Sequence, residues 1–139
     1  VIYYWLRGKL KMEKIDDPVS TIATNDKSKN KTNDPRILKA RGGDPSSEDP
    51  SRRPTDPVGL SRSILHVLKD HEYVRILSVG PTALNSVMSA FRLASREVES
   101  LTNGSVLVCR QSEYHAEVAG KKTKGISTRI FAIDIKFAL

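Results

Sequence analysis

Three lysines are grouped in the segment Ala119-Gly-Lys-Lys-Thr-Lys-Gly125. Glycines lie near both ends of the segment and strand-like sequence flanks it, so the spacing predicts the tip of a β-hairpin. Lys121, Lys122 and Lys124 would then project beyond a sheet, where their ammonium groups reach phosphate oxygens without burial. Each phosphate neutralised by such a lysine releases counterions. We predict that this tip binds a polyanion, and the alternative is an ordinary solvated turn.

A second candidate anion site is the turn Gly80-Pro-Thr82, which leads into a predicted helix. Free backbone N–H groups and the positive end of the helix dipole favour a phosphate at a helix N-terminus. Pro81 removes one donor, and the alternative is that Gly80 only permits a sharp turn. Arg62, from a first helix, and Arg75, from a strand, are expected to flank the same surface.

Arg92 and Arg96 lie four residues apart in the same predicted helix and would form an exposed basic ridge with Glu99 nearby. A solvated helix face explains these residues equally well. Base stacking needs exposed aromatic rings, and Tyr73 and Tyr114 are the candidates in this part of the chain. The pattern assigns Phe91, Phe131 and Phe137 to the core instead, and the alternation of the last strand assigns Ile133 and Ile135 to the same face as Phe131.

The N-terminal segment Val1-Ile-Tyr-Tyr-Trp-Leu-Arg-Gly-Lys-Leu10 contains three aromatic residues. Tyrosine and tryptophan are frequent hot-spot residues at interfaces. We therefore interpret Tyr3, Tyr4 and Trp5 as an anchor that docks on a neighbouring protein. A random apolar chain end is the alternative.

The residues that could support catalysis are scattered. His66 and His71 are five apart rather than the four that two helical metal ligands need, and His115 lies far from both. Cys109, the single cysteine, lies in a predicted strand and fits a reducing compartment. A nucleophile, a base and an orienting group do not assemble. We predict no catalytic residue, no metal site and no cofactor, and hence no enzyme.

Composition indicates the class of partner. The 139 residues contain 23 Lys and Arg against 16 Asp and Glu, a formal charge of +7, which favours RNA or DNA as partner. No apolar run approaches the roughly 18 residues that span a bilayer, so no membrane contact is expected. The chain begins at Val1 rather than Met, as a processed or partial sequence would. Together with the basic pI, this suggests a mitochondrial location, with the cytoplasm or nucleus as the alternative.

The elements that must position these residues follow from the spacing of apolar residues. Residues 1–57 hold six of the seven prolines and should form an extended tail, disordered when free, with a possible first strand at 36–41. Residues 58–139 predict one domain: helix, strand, helix and two strands. Asp56-Pro57 predicts the start of the first helix, with Asp56 as its cap, and Thr82 is expected to cap the second helix. The order (β)αβαββ predicts an α+β two-layer sandwich with two helices on one face of a four-stranded sheet.

Part of this domain resembles a known family. Arg75-Ile-Leu-Ser-Val-Gly80, Ala83-Leu-Asn85, Val87, Ala90 and Ala94, followed by Val106-Leu-Val108 and the Ile130 to Ile135 strand, resemble the stage V sporulation protein S family. Members of that family share an Alba-like fold. The resemblance implies an Alba-like sandwich over residues 58–139, dimerisation with a like or unlike chain, and binding of DNA or RNA by the hairpin and the loops near the helix starts. Residues 42–56 would be an insertion relative to that family.

These expectations combine into one leading hypothesis with two alternatives. The leading hypothesis is an RNA-binding structural component of a large ribonucleoprotein, specifically a mitochondrial ribosome, in which the tail crosses neighbouring proteins. The first alternative is a freestanding Alba-like dimer on DNA or RNA. The second is a protein-interaction module without nucleic-acid contact.

Overall fold

The computed structural model describes residues 34–134. Its elements are β1 (Ile37–Ala40), a short 3-10 helix (Pro50–Arg52), α1 (Pro57–Asp70), β2 (Tyr73–Ser78), α2 (Pro81–Leu101), β3 (Ser105–Val118) and β4 (Lys121–Asp134). The sheet order is β1-β2-β4-β3. β1 runs parallel to β2, whereas β4 is antiparallel to both β2 and β3. The predicted α+β class is confirmed, with two helices, four strands and a first strand within the predicted range 36–41.

The core lies between the two helices and one face of the sheet. Its fully buried side chains come from both layers, namely Leu60 and Ile64 of α1, Val87 and Val98 of α2, Val74 and Ile76 of β2, and Ile130 of β4. Burial alternates along β2, because successive strand side chains point to opposite faces. We call the sheet face away from the helices the open face; no described element covers it.

The orientation of β4 differs from the prediction. The alternation of β4 assigned Phe131 and Ile133 to the core, and this is wrong. Ile130 is fully buried and Ala132 is 3% exposed, whereas Phe131 and Ile133 are half-buried on the open face. Ile130 lies opposite the buried Val74, and this pairing fixes which face of β4 enters the core. Ile135 and Phe137 lie outside the described residues.

The two helices begin differently. The Asp56 carboxylate caps α1 by accepting from the backbone N–H groups of Val58 and Gly59 at 3.4 and 3.1 Å, as predicted. Thr82 was expected to cap α2, but the cap residue is Gly80, at φ 87°, and no side chain bonds to the helix start. Pro81 at the first helical position explains the shift, since its fixed φ suits that position and its missing N–H needs no partner there.

Residues 34–57, which composition assigned to the tail, contribute β1 and the loop that follows it. The ends of the loop are tied together, because Thr55 N donates to Arg41 O at 2.9 Å and Arg41 N donates to Thr55 Oγ1 at 2.7 Å. Thr55 is only 2% exposed. Between these ends, Asp44 N donates to Arg52 O at 2.8 Å. Backbone hydrogen bonds thus hold this segment against the fold although it has few apolar residues.

No helix within residues 34–134 is long and apolar enough to cross a membrane. The prediction for residues 1–33, a tail that is disordered when free, lies outside the described residues.

Candidate nucleic-acid interface

The hairpin of β3 and β4 extends beyond the rest of the sheet. β3 and β4 pair continuously from Ser105 and Asp134 to Val118 and Lys121, whereas β2 pairs with β4 only as far as Ile126. Residues 114–125 therefore form a two-stranded ribbon, about 15 Å long at the usual rise per strand residue. We call this part the ribbon. Its turn is Ala119-Gly120, at φ 51° and 77°, the positive values that a tight hairpin turn requires.

The three lysines lie in the ribbon, but in a strand rather than on its turn. Lys121, Lys122 and Lys124 all belong to β4 and are all exposed. The side chains of Lys122 and Lys124 share the helix side of the sheet with Ile130, and that of Lys121 lies on the open face, because faces alternate along a strand. The predicted lysine cluster is thus divided between both sides of the ribbon.

Acidic residues share one side of the ribbon with the lysines. Glu117 lies directly opposite Lys122, and His115 opposite Lys124. The ion pairs found within residues 34–134 are Arg36 with Asp34 and Arg52 with Asp49, so Glu117 and Lys122 are neighbours without a close ion pair. The helix side of the ribbon carries mixed charge, and the lysines remain available to a ligand.

A tyrosine packs on the backbone at the base of the ribbon. Tyr114 lies opposite Gly125, and a Cβ at that glycine would overlap the Tyr114 ring and lie 2.8 Å from Ser78 O. Burial raises the pKa of the Tyr114 hydroxyl, while the charge of Arg75 opposes this rise. Tyr114 lies at the point where the ribbon leaves the sheet.

The predicted anion site at the start of α2 lies at the same end of the sheet as the ribbon. β2 ends at Ser78, which pairs with Ile126, and Gly80 and Pro81 follow as exposed residues. A Cβ at Gly42 would lie 3.7 Å from Ala83 N, so the loop after β1 packs against this helix start. Thr82 is half-buried, and its side chain does not cap the helix. The predicted anion site therefore consists of backbone N–H groups that the loop after β1 partly covers.

The structure separates the four arginines that were expected near this turn. Arg62 lies on α1 in the helix layer, whereas Arg75 lies on the open face, so the two do not flank one surface. Arg92 and Arg96 are exposed on the outer side of α2, where they line a shallow groove with Ser89 and Leu93. The helix arginines are therefore a third, separate basic region.

The open face carries a row of three arginines, of which Arg75 was predicted as a binding residue and Arg110 and Arg129 were not. Arg129 of β4 lies opposite Arg75 of β2 on one side and opposite Arg110 of β3 on the other. The Arg129 guanidinium stacks 4.6 Å from the centre of the Tyr73 ring, and Arg75 Nε donates to Ser127 Oγ at 2.6 Å. Phe131 lies opposite Tyr73. Residues two apart in a strand lie on the same face, so the segments Tyr73-Val-Arg75 and Arg129-Ile-Phe131 each indicate an arginine beside an aromatic ring. The sequence did not indicate that these two strands pair with each other.

One further arginine is neutralised next to this row. Arg36 also stacks on Tyr73, at 5.0 Å, and its Nη2 lies 2.9 Å from Asp34 Oδ2. Hydrogen bonds from Arg36 lower the pKa of Asp34 to about 2. Arg36 thus has a carboxylate partner, whereas no such partner is found for Arg75, Arg110 or Arg129 within residues 34–134.

The remaining candidates carry little chemistry. Cys109 is half-buried against the core, and burial raises the pKa of its thiol. No three His, Cys, Asp or Glu side chains of the described part of the chain lie close enough to hold a metal ion. Tyr3, Tyr4 and Trp5, the predicted anchor, lie outside the described residues.

Comparison of the whole chain with known protein families and with curated proteins finds no match. The resemblance of residues 58–139 to an Alba-like family therefore stays a prediction.

Proposed function

We propose that the domain binds RNA, without catalysis, as a structural component of a large ribonucleoprotein. The observation that carries this proposal is the ribbon, which extends beyond the sheet and bears three exposed lysines with no ion pair to any described carboxylate. Because these lysine side chains are already exposed to solvent, their ammonium groups can contact phosphate oxygens without a change in the fold. The formal charge of +7 adds a long-range attraction to any polyanion.

The ribbon also extends from the sheet end where the start of α2 lies. A duplex RNA bound by the ribbon lysines would therefore lie at the end of the sheet that also carries the backbone N–H groups of that helix start. Lysine contacts and helix-start contacts both read the phosphate backbone rather than base edges. We propose accordingly that binding depends on backbone shape and charge rather than on sequence.

Replacing the three ribbon lysines together tests this proposal. K121Q/K122Q/K124Q should lower the affinity of the chain for a duplex RNA, and the slope of log affinity against log salt should become shallower by roughly 2 to 3 units, because each lost phosphate contact contributes roughly 0.9. Fluorescence anisotropy of a labelled duplex over a salt series measures both quantities.

The charge-preserving variant K121R/K122R/K124R is the matched control and should keep the wild-type slope. A triple glutamine variant whose slope equals that of the wild type would remove the ribbon from the proposed interface.

The particle that we propose is a ribosome, with mitochondrial origin as the specific form of the hypothesis. A small basic domain on a long mixed-charge segment is typical of ribosomal proteins. The tail, residues 1–33, would then contact neighbouring proteins through Tyr3, Tyr4 and Trp5.

A further inference from the structure

The open face is the most uniformly basic surface of the described fold. Side chains of this face belong to alternate residues of the four strands, and five of them are basic: Lys39, Arg75, Arg110, Lys121 and Arg129. None of the described strand residues on this face is Asp or Glu. This differs from the helix side of the β3–β4 hairpin, where Glu113 and Glu117 accompany Lys122 and Lys124.

The arginine row is unfavourable for the isolated protein. Arg129 has an arginine directly opposite on each side, and like charges at such cross-strand positions repel. Solvent exposure of Arg110 and Arg129 reduces this repulsion but does not remove it. A bound anion with several charges would remove it, so the row favours a polyanionic ligand over a neutral or cationic one.

Aromatic rings lie on both sides of this row. Tyr73 and Phe131 are opposite one another on one side, and Tyr114 lies toward the ribbon on the other. All three aromatic residues are half-buried. The guanidinium groups of Arg36 and Arg129 already lie over the Tyr73 ring, so a base that stacks on this ring would replace one of them. A row of cations with aromatic rings on both sides can bind the phosphates and the bases of a single strand, since any base can stack on a ring.

We infer that the open face binds unpaired nucleotides, with phosphates on Arg75, Arg129 and Arg110 and bases stacked beside Tyr73, Phe131 and Tyr114. This inference rests on the proposed function only in that the ligand is a nucleic acid; it concerns a different surface. Lys121 lies on the same face, so a single strand can continue from the arginine row onto the ribbon. Duplex RNA, whose bases are paired and stacked internally, would gain nothing from the rings.

The test compares two double variants of the full chain that remove the same charge from different layers. R110Q/R129Q removes two exposed arginines of the open face, and R92Q/R96Q removes two exposed arginines of α2. With a labelled 12-nucleotide single-stranded RNA, R110Q/R129Q should bind at least roughly tenfold more weakly than the wild type, with a salt slope shallower by roughly 1.4 units, since a single-strand contact contributes roughly 0.7. R92Q/R96Q should change the affinity less than about threefold. Equal losses in both variants, or no loss in either, would overturn the inference.

Stacking is tested separately at Tyr73. Y73L should weaken single-strand binding roughly tenfold, whereas Y73F, which keeps the ring, should bind like the wild type. Thermal unfolding of each variant checks that the fold is retained, and ultraviolet cross-linking of wild-type protein to the same RNA should attach nucleotides to the peptide that contains Tyr73. Cross-links that spare Tyr73, Phe131 and Tyr114 and lie only at the turn of the ribbon would contradict the inference even if Y73L failed to fold.

Other outcomes separate this inference from the proposed function. If duplex binding depends on the ribbon lysines but R110Q/R129Q has the wild-type affinity for single-stranded RNA, only the open-face inference fails. If the wild type binds neither RNA, the proposed function fails as well. If R110Q/R129Q instead alters the sedimentation coefficient of the protein alone, the face is an interface between copies of the chain and the inference is overturned.

Discussion

At the scale of residues, the fold tolerates features that a stable isolated sheet would avoid. Each arginine pair in the row Arg75, Arg129 and Arg110 destabilises the sheet by an amount on the order of 0.5 kcal/mol. The stacking of Arg129 on Tyr73 offsets part of this cost. Because this arrangement adds little to stability, packing does not explain why three arginines are adjacent. An anionic ligand that binds the arginines would explain it.

Packing does explain Gly125. Replacing this glycine with alanine should destabilise the fold by about 1 to 3 kcal/mol, since the new Cβ would overlap the Tyr114 ring and press on the Ser78 carbonyl. Urea denaturation followed by circular dichroism measures the change. The control G42A adds a Cβ at 3.7 Å from Ala83 N, an ordinary contact, and should change stability by less than about 0.5 kcal/mol. Equal stability of G125A and the wild type would contradict the close packing of Tyr114 on the backbone.

At the scale of elements, local sequence signals were sufficient to predict the positions of the helices. The cap at Asp56 and the apolar spacing of α1 and α2 are such signals, and both helices lie where they predict. The ribbon was predicted as a turn because Gly120 and Gly125 bracket the lysines. Of these two glycines, Gly120 has a positive φ and belongs to the turn. Gly125 is a strand residue, and the absence of a side chain there leaves space for the Tyr114 ring.

The start of α1 offers a quantitative test at this scale. D56A should lower the free energy of unfolding by about 1 kcal/mol, because the N–H groups of Val58 and Gly59 lose their acceptor. D70A makes the same substitution at the last residue of α1, where a negative charge opposes the helix dipole, and should be neutral or slightly stabilising. Chemical denaturation of the two variants gives the comparison, and equal effects would argue against Asp56 as the cap.

At the scale of the whole molecule, the sequence predicted the architecture better than the binding surface. The order of elements follows from local periodicity, but the site depends on which strands pair. Arg75 bonds to Ser127, which is 52 positions away, and no spacing rule indicates such a contact. The same long-range pairing placed Ile130 rather than Phe131 in the core, which exposed Phe131 beside Tyr73 and left the open face as a basic surface with rings.

We propose that the molecule binds a polyanion on two surfaces, the ribbon and the open face, which share Lys121. Arg92 and Arg96 lie apart from both, on the outer side of α2. A small domain with two such surfaces is suited to holding a paired and an unpaired stretch of one RNA, which is a structural role within a particle.

Sedimentation of the native protein from cell extract, with and without ribonuclease, shows whether RNA holds the protein in a large particle. We predict that the protein travels with a large particle and that ribonuclease moves it to the top of the gradient, because RNA holds it there. A protein that remains at the top without ribonuclease, or that stays with a large particle after complete RNA digestion, would contradict a ribonucleoprotein role.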